Sequence, residues 1–431
     1  MSSADRRAPF LALAHRDYRR LILSQLLSLT GSQMQVVAIN WHVYLLTRSP
    51  LALGFVGLTR VVPIVVFSLV GGVVADRHDR RRVMLITQVA MTAVALALAA
   101  ITFARRETLW LLYLLNALGA SAVAFDGPSR QALIPRLVPP EDLPGALSLN
   151  LSVFQAALIG GPALAGLVIA NHPGDSPTAG LSLIYFLNAV SFVAVIFALA
   201  TMRTSGAPEP TAGKVEMRAA LAEGLRFVFK TPLMVWTMGL DFLATFFSGA
   251  TSLLPIFADQ VLHVGARGYG ILAAAPAVGA LLGALYLSVR PLPARQGRIF
   301  LWAVGIYGAA TVVFGLSRNF WLTLAALACV GLADAISTVI RQTIRQFITP
   351  DRLRGRMTSI NMIFFMGGPQ LGELEAGLVA SLFASTVVGV TVSVVTGGLA
   401  TILITAAVAA AAPMVRVYDF RRPATSGGAS P

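Results

Sequence analysis

Gly71-Gly72-Val73-Val74-Ala75-Asp76-Arg77-His78-Asp79-Arg80-Arg81-Arg82 joins two long apolar runs. An acid closes the first run, four arginines follow between positions 77 and 82, and residues 83–104 are apolar again. Spanning hydrocarbon takes about 20 apolar residues in a helix, and basic clusters collect in the cytoplasmic loops between such helices. The stretch therefore reads as a short inner loop between two membrane-spanning helices.

The same pattern repeats along the whole chain. Twelve candidate spans lie near 20–46, 51–75, 83–104, 108–128, 146–170, 180–202, 233–257, 268–289, 299–317, 320–346, 357–383 and 386–412. Of the 431 residues, 56% are apolar and only 12% are charged, with a mean hydropathy of +0.75. A soluble domain is typically about 45–50% apolar and about 25% charged. This composition excludes a soluble enzyme, and the unbroken apolar runs exclude alternating β-barrel strands. The first span is full length with no small-residue cleavage site after it, so it reads as a retained helix rather than a signal peptide.

The net charge of +14 comes from 33 Lys and Arg, of which only Lys214 and Lys230 are lysines, against 19 Asp and Glu. With the N-terminus placed in the cytoplasm, 27 of the basic residues fall inside. Only Arg48, Arg105, Arg106, Arg267 and Arg318 fall outside, and Arg60 lies within a span. That asymmetry puts both termini in the cytoplasm and removes nucleic acid as a partner. Cys329 is the only cysteine and the five histidines are scattered, so no disulfide, metal site or cofactor is expected.

The longest polar stretch, 203–231, divides the chain. It opens on a flexible composition (Thr204 to Pro210) and continues as an amphipathic run from Val215 to Phe229, which suits either a helix on the inner membrane face or a plain tether. The expected organisation is a bundle over 1–202, this linker, and a second bundle with a short tail over 232–431. The halves repeat. Arg130-Gln131 returns as Arg341-Gln342, Ser148-x-Asn150 as Ser359-x-Asn361 and Gly166-Leu167-Val168 as Gly377-Leu378-Val379, all at one offset of 211 residues. Six spans per half give the two copies the same orientation, a parallel repeat with a cleft suited to alternating access.

The Gly71–Arg82 loop resembles the signature of the major facilitator superfamily, Gly-x-x-x-Asp-Arg-x-Gly-Arg-Arg. Gly72, Asp76, Arg77, Arg80 and Arg81 match, and Asp79 replaces the second glycine. The resemblance implies that Asp76 latches the inner side shut through arginines of its loop and the start of the eleventh helix. The second half lacks the equivalent acid (Gly283-x-x-x-Leu287, then Arg290), so the latch is expected on one side only. Phe125 to Pro135, Thr349 to Arg356 and Gln370 to Gly377 resemble the branch of enterobactin exporters and related secretion effectors. That branch implies proton-driven export of siderophores or other amphiphiles. Gly161-Pro162-x-x-x-Gly166 resembles the superfamily's antiporter motif in the fifth helix, although Ala157 occupies one usual glycine place; a Pro-kinked, tightly packed helix explains the same residues.

No phosphate-binding Gly-x-x-x-x-Gly-Lys-Ser/Thr is present, so the chain carries no ATPase of its own, and no catalytic constellation points to an enzyme. An ion gradient remains as the energy source. Charges inside a membrane are costly and therefore mark function. Asp334, Arg341 and Arg345 sit within about 20° of one face of the tenth span. Asp241 lies deep in the seventh span. Glu373 and Glu375 are about 200° apart on the eleventh, of which Glu373, beside Gln370, is favoured. Asp241, Asp334 and Glu373 are the proton-coupling candidates, with Arg60 and Arg341 lining a cavity or holding static ion pairs. Gln33, Asn40 and Tyr44 share a stripe of the first span with Thr30 and Val37, and could meet a substrate or neighbouring helices.

The expectation is an all-α integral membrane protein with twelve transmembrane helices in two parallel six-helix repeats. Its partners would be a small-molecule substrate, protons and the lipid of a bacterial inner membrane. The expected activity is proton-coupled export of an amphiphile. An uptake symporter on the same fold and, from another class, a membrane sensor or integral-membrane enzyme are the rivals.

Overall fold

The computed structural model describes residues 11–172, 178–207, 223, 226–289, 294–350 and 354–419. Side chains are described throughout these apart from 68, 69, 73, 75, 76, 354–356, 358–363, 365 and 366. Among the described residues there are twelve long helices and no strand. The first six are α1 (Arg16–Thr47), α2 (Pro50–Arg77), α3 (Arg80–Phe103), α4 (Leu109–Leu133), α5 (Leu143–Ala170) and α6 (Ala179–Ala200). The second six are α7 (Pro232–Phe247), α8 (Gly265–Val289), α9 (Gln296–Leu316), α10 (Phe320–Ile348), α11 (Arg354–Ser381) and α12 (Thr386–Ala411). Eleven helical segments are long and apolar enough to cross a membrane, and α11 is the twelfth long helix.

Local chemistry sets the ends. Helix interiors are apolar and breaks fall where a polar side chain can cap the orphan N–H groups of a first turn. Ser49, Thr108, Asn319 and Ser385 cap α2, α4, α10 and α12 in this way. Asp79 caps α3, its Oδ1 accepting from the N–H groups of Arg81 at 2.9 Å and Arg82 at 3.3 Å. Here lies the reason for the aspartate in the place of a glycine: the loop ends on a helix start that an acid stabilises.

The expected seventh span, 233–257, is interrupted. α7 stops at Phe247, and helical turns resume from 250 to Val261, closing on a wide turn in which the Leu262 N–H reaches the Phe257 carbonyl at 2.8 Å. Gly249 sits at the break. A Cβ there would lie 2.9 Å from the Pro369 carbonyl and 3.1 Å from the Gly372 Cα of α11, so the backbones can meet only at glycine.

The chain forms two compact units, one of 1–212 with 252–274 and one of 213–251 with 275–431. In the first, α1 packs on α5 and α6, α3 on α4 and α6, and α2 on α4. In the second, α7 packs on α11 and α12 and α9 on α10 and α12, the same neighbours advanced by six helices. Tyr18, Leu21, Met84, Leu133 and Leu199 fill the first core near its inner end, meaning the end that the charge count assigns to the cytoplasm. Leu240, Phe300, Val304, Ile340 and Val408 fill the second. Large apolar side chains also cover the outside, with Trp110, Trp302 and Trp321 more than 70% exposed. A lipid-facing surface tolerates these, and tryptophan favours its interfaces. Most of the expected amphipathic run Val215 to Phe229 lies outside the described residues. Its end, Val228, is buried with Met234, Met238 and Met357.

Candidate functional site

The second unit brings three of its intramembrane charges to one place. α7 brings Asp241 about 14 Å from its inner end, and α10 brings Arg341 about 10 Å and Asp334 about 21 Å from its own. The carboxylate of Asp241 therefore sits in depth between the two. Arg341 donates from Nη1 to Asp241 Oδ2 in an ion pair whose side chains are only 11% and 9% exposed. Its Nη2 donates to Thr338 Oγ1 at 2.8 Å, while Nε is buried without a partner. Asp334, half-buried, accepts no hydrogen bond from any described residue. Asp241, Asp334, Tyr307 and Ser337 line one crevice with Ala244, Thr245 and Val304. Its volume of about 10 Å³ is at the lower limit for one water molecule. Ser337 Oγ is buried there with no partner.

Tyr307 and Ser337 were not singled out from sequence. A signal existed for Ser337, which follows Asp334 by three residues on the charged face of α10. Tyr307 comes from α9, whose neighbours in space no local pattern reveals. Glu373 and Glu375 are both half-buried. Glu373 accepts from Thr251 Oγ1 at 3.3 Å, and Glu375 has no partner among the described residues.

In the first unit the polar stripe of α1 divides by role. Tyr44 is fully buried and donates to Asp259 Oδ2, while accepting from Arg48 at 2.9 Å and Gln260 at 3.2 Å. Arg48 also reaches Asp259 at 3.1 Å and lies over the Tyr44 ring. Asn40 donates to the Val36 carbonyl of its own helix, its Oδ1 buried and unpartnered. Gln33 lies against α5: a Cβ at Gly161 would come within 2.4 Å of the Gln33 Cβ. Gly166, a turn and a half further on, meets α8 instead, where a Cβ would fall 2.9 Å from Gly270 Cα. The Pro162 carbonyl stands 2.5 Å from a Cβ added at Gly270. Glycine spacing in α5 thus sets two close helix crossings, the small-residue packing that membrane helices use. Arg60 is half-buried, ten residues into α2.

The model of the family described as transmembrane secretion effector matches residues 7–424. The chain belongs to that family. It is a transporter of the major facilitator type, not a member of an enzyme family. The transporter is 26% identical over 367 residues to the enterobactin exporter EntS of Shigella boydii serotype 18, covering 85% of this chain and 86% of that one. It is 25% identical to the EntS of Escherichia coli O139:H28 over the same shares. Among solved structures it resembles a bacterial homologue of the iron transporter ferroportin, with a TM-score of 0.65, 20% identity, and 90% of this chain and 98% of that one covered. It also resembles a POT family transporter in complex with a thioalcohol-conjugated peptide, with a TM-score of 0.71, 12% identity, and 93% and 96% covered. At these identities the structures establish the fold.

In this transporter the side chain of Asp76 lies outside the described residues. Arg77 is exposed, Arg81 donates to the Ala200 carbonyl at 3.0 Å, and Arg80 keeps a buried Nε and Nη1 without a partner. Gly72 faces open space. Its neighbour Gly71 carries the close approach, since a Cβ there would be 2.4 Å from the Ala124 carbonyl of α4.

Proposed function

We propose that this transporter exports an amphiphilic small molecule, of siderophore or drug-like type, across a bacterial inner membrane in exchange for protons by alternating access. In this reading residues 1–202 and 232–431 are the two bundles, 203–231 links them, and both termini are cytoplasmic. Its similarity to enterobactin exporters supports the direction and the siderophore class of cargo.

One observation carries the proton coupling: Asp241, ion-paired to Arg341, lines one crevice with a second carboxyl group, Asp334, that has no ion pair among the described residues. With both acids ionised the cluster holds a net negative charge within the membrane, where charge is costly. One proton neutralises it. Asp241 already has Arg341, so Asp334 is the group that takes the proton, with the Tyr307 and Ser337 hydroxyls beside it to pass it on. Glu373 is the reserve candidate, and Asp76 with the arginines of its loop the inner latch.

Inverted vesicles acidified inside by ATP hydrolysis test this, with enterobactin and Hoechst 33342 as probes. Exchange predicts uptake of at least one probe into the vesicles, abolished by dissipating the gradient and lost in Asp334→Asn. Gradient-driven emptying of preloaded vesicles would establish symport instead, and movement indifferent to the gradient or to Asp334→Asn would refute proton coupling at this cluster.

A further inference from the structure

Arg60 lies about 15 Å from the start of α2, too deep for easy escape of its charge to the interface. The turns of α2 show where it points. Leu53, Arg60 and Phe67 follow one another at seven-residue steps and stay within about 40° of a single stripe. Leu53 is fully buried, Arg60 half-buried and Phe67 37% exposed, so the stripe opens as it runs inward. Val62 and Val66, both more than half exposed, lie about 120–160° away from Arg60 around the helix.

No carboxylate among the described side chains answers this charge. Arg60 makes no hydrogen bond or ion pair with any described residue. The polar groups that α4 sets against α2 and α3 are already paired: Asn116 Nδ2 donates to Thr59 Oγ1 at 2.9 Å and to the Val56 carbonyl. Asp126 is saturated by Thr87, Gln88 and Arg130. Asp76, whose side chain is not described, sits sixteen residues further along the same helix, about 24 Å away. Arg130, the arginine inside α4, has Asp126, and an unpaired guanidinium in a membrane is too expensive to keep without use.

We propose that Arg60 binds an anionic group of the cargo, which makes the cargo class an amphiphile bearing a carboxylate or similarly compact anion. This rests on the export reading, whose amphiphile it specifies. A guanidinium offers several N–H donors to such a group, and a charge-assisted contact of this kind is worth about tenfold or more in affinity.

The test needs no gradient. The full-length protein in lipid nanodiscs is titrated with 8-anilinonaphthalene-1-sulfonate, an anionic amphiphile, and with N-phenyl-1-naphthylamine, its uncharged counterpart, with empty nanodiscs subtracted. The proposal predicts saturable binding of the sulfonate that Arg60→Gln weakens about tenfold or more and Arg60→Lys largely restores, while the amine changes less than about threefold. Thermal unfolding of Arg60→Gln should be unchanged or raised, because the variant removes an unpaired charge. Absent saturable sulfonate binding, equal loss of both probes, or sulfonate binding indifferent to Arg60→Gln overturns it. Anion-selective binding without gradient-driven transport would leave this assignment standing and sink proton-driven export alone.

Discussion

Arg130 and Arg341 are the same residue of the repeat, 211 positions apart, and they keep different company. Arg130 pairs with Asp126 on its own helix. That carboxylate is 1% exposed and also accepts from Thr87 at 3.1 Å and Gln88 at 3.0 Å. Every strong contact it needs is made. Arg341 reaches across to Asp241 on α7, and the position matching Asp126 is Ser337, a buried hydroxyl with no partner. Beside it stands a second acid, Asp334, where the first half has Val123. The two halves share the arginine and differ in where its acid stands. The first half holds a closed, structural pair and the second an open one with a proton's worth of charge to spare.

The strongest way to break this contrast is Asp241→Ala, which strands the Arg341 guanidinium. Losing one partner of a buried pair costs about 3–5 kcal/mol. Folded protein recovered by fluorescence-detected size exclusion should fall several-fold, and transport further. Ser337→Asp would give Arg341 the i, i+4 acid that Arg130 has. Its gradient-dependent flux in inverted vesicles should drop about tenfold, equivalent to about 1.4 kcal/mol, as Arg341 is drawn from Asp241. Asp126→Asn removes a structural charge and should cost about 1–3 kcal/mol, read as a lower thermal midpoint, with flux per folded molecule and its pH profile unchanged. Smallest is the coupling in the double variant of Asp126→Asn and Asp241→Asn. The two acids share no partner, so their stability effects should add within about 0.5 kcal/mol.

What the sequence revealed of this protein depended on how local each feature is. Spans, caps and the sidedness of arginines are written in runs of twenty residues or fewer, and the repeat shows because both copies are in one chain. The α1 stripe was legible as a stripe but not as two roles, since only the fold brings Asp259 to Tyr44. Two adjacent glycines, 71 and 72, differ by about 100° of helix rotation, and only the packing of α4 tells which one is needed. The Asp241–Arg341 pair joins residues one hundred apart, so the sequence could offer an ion pair of Arg341 as an alternative but not choose its acid.

The contrast between the two arginines reduces to whether the acid near Arg341 exchanges a proton while the acid beside Arg130 does not. Infrared difference spectra of the purified protein, taken between alkaline and acidic buffers, read carboxyl protonation directly. The expected result is a protonated-carboxyl band that Asp334→Asn removes and Asp126→Asn leaves intact. A band that survives Asp334→Asn and disappears with Asp126→Asn would contradict it.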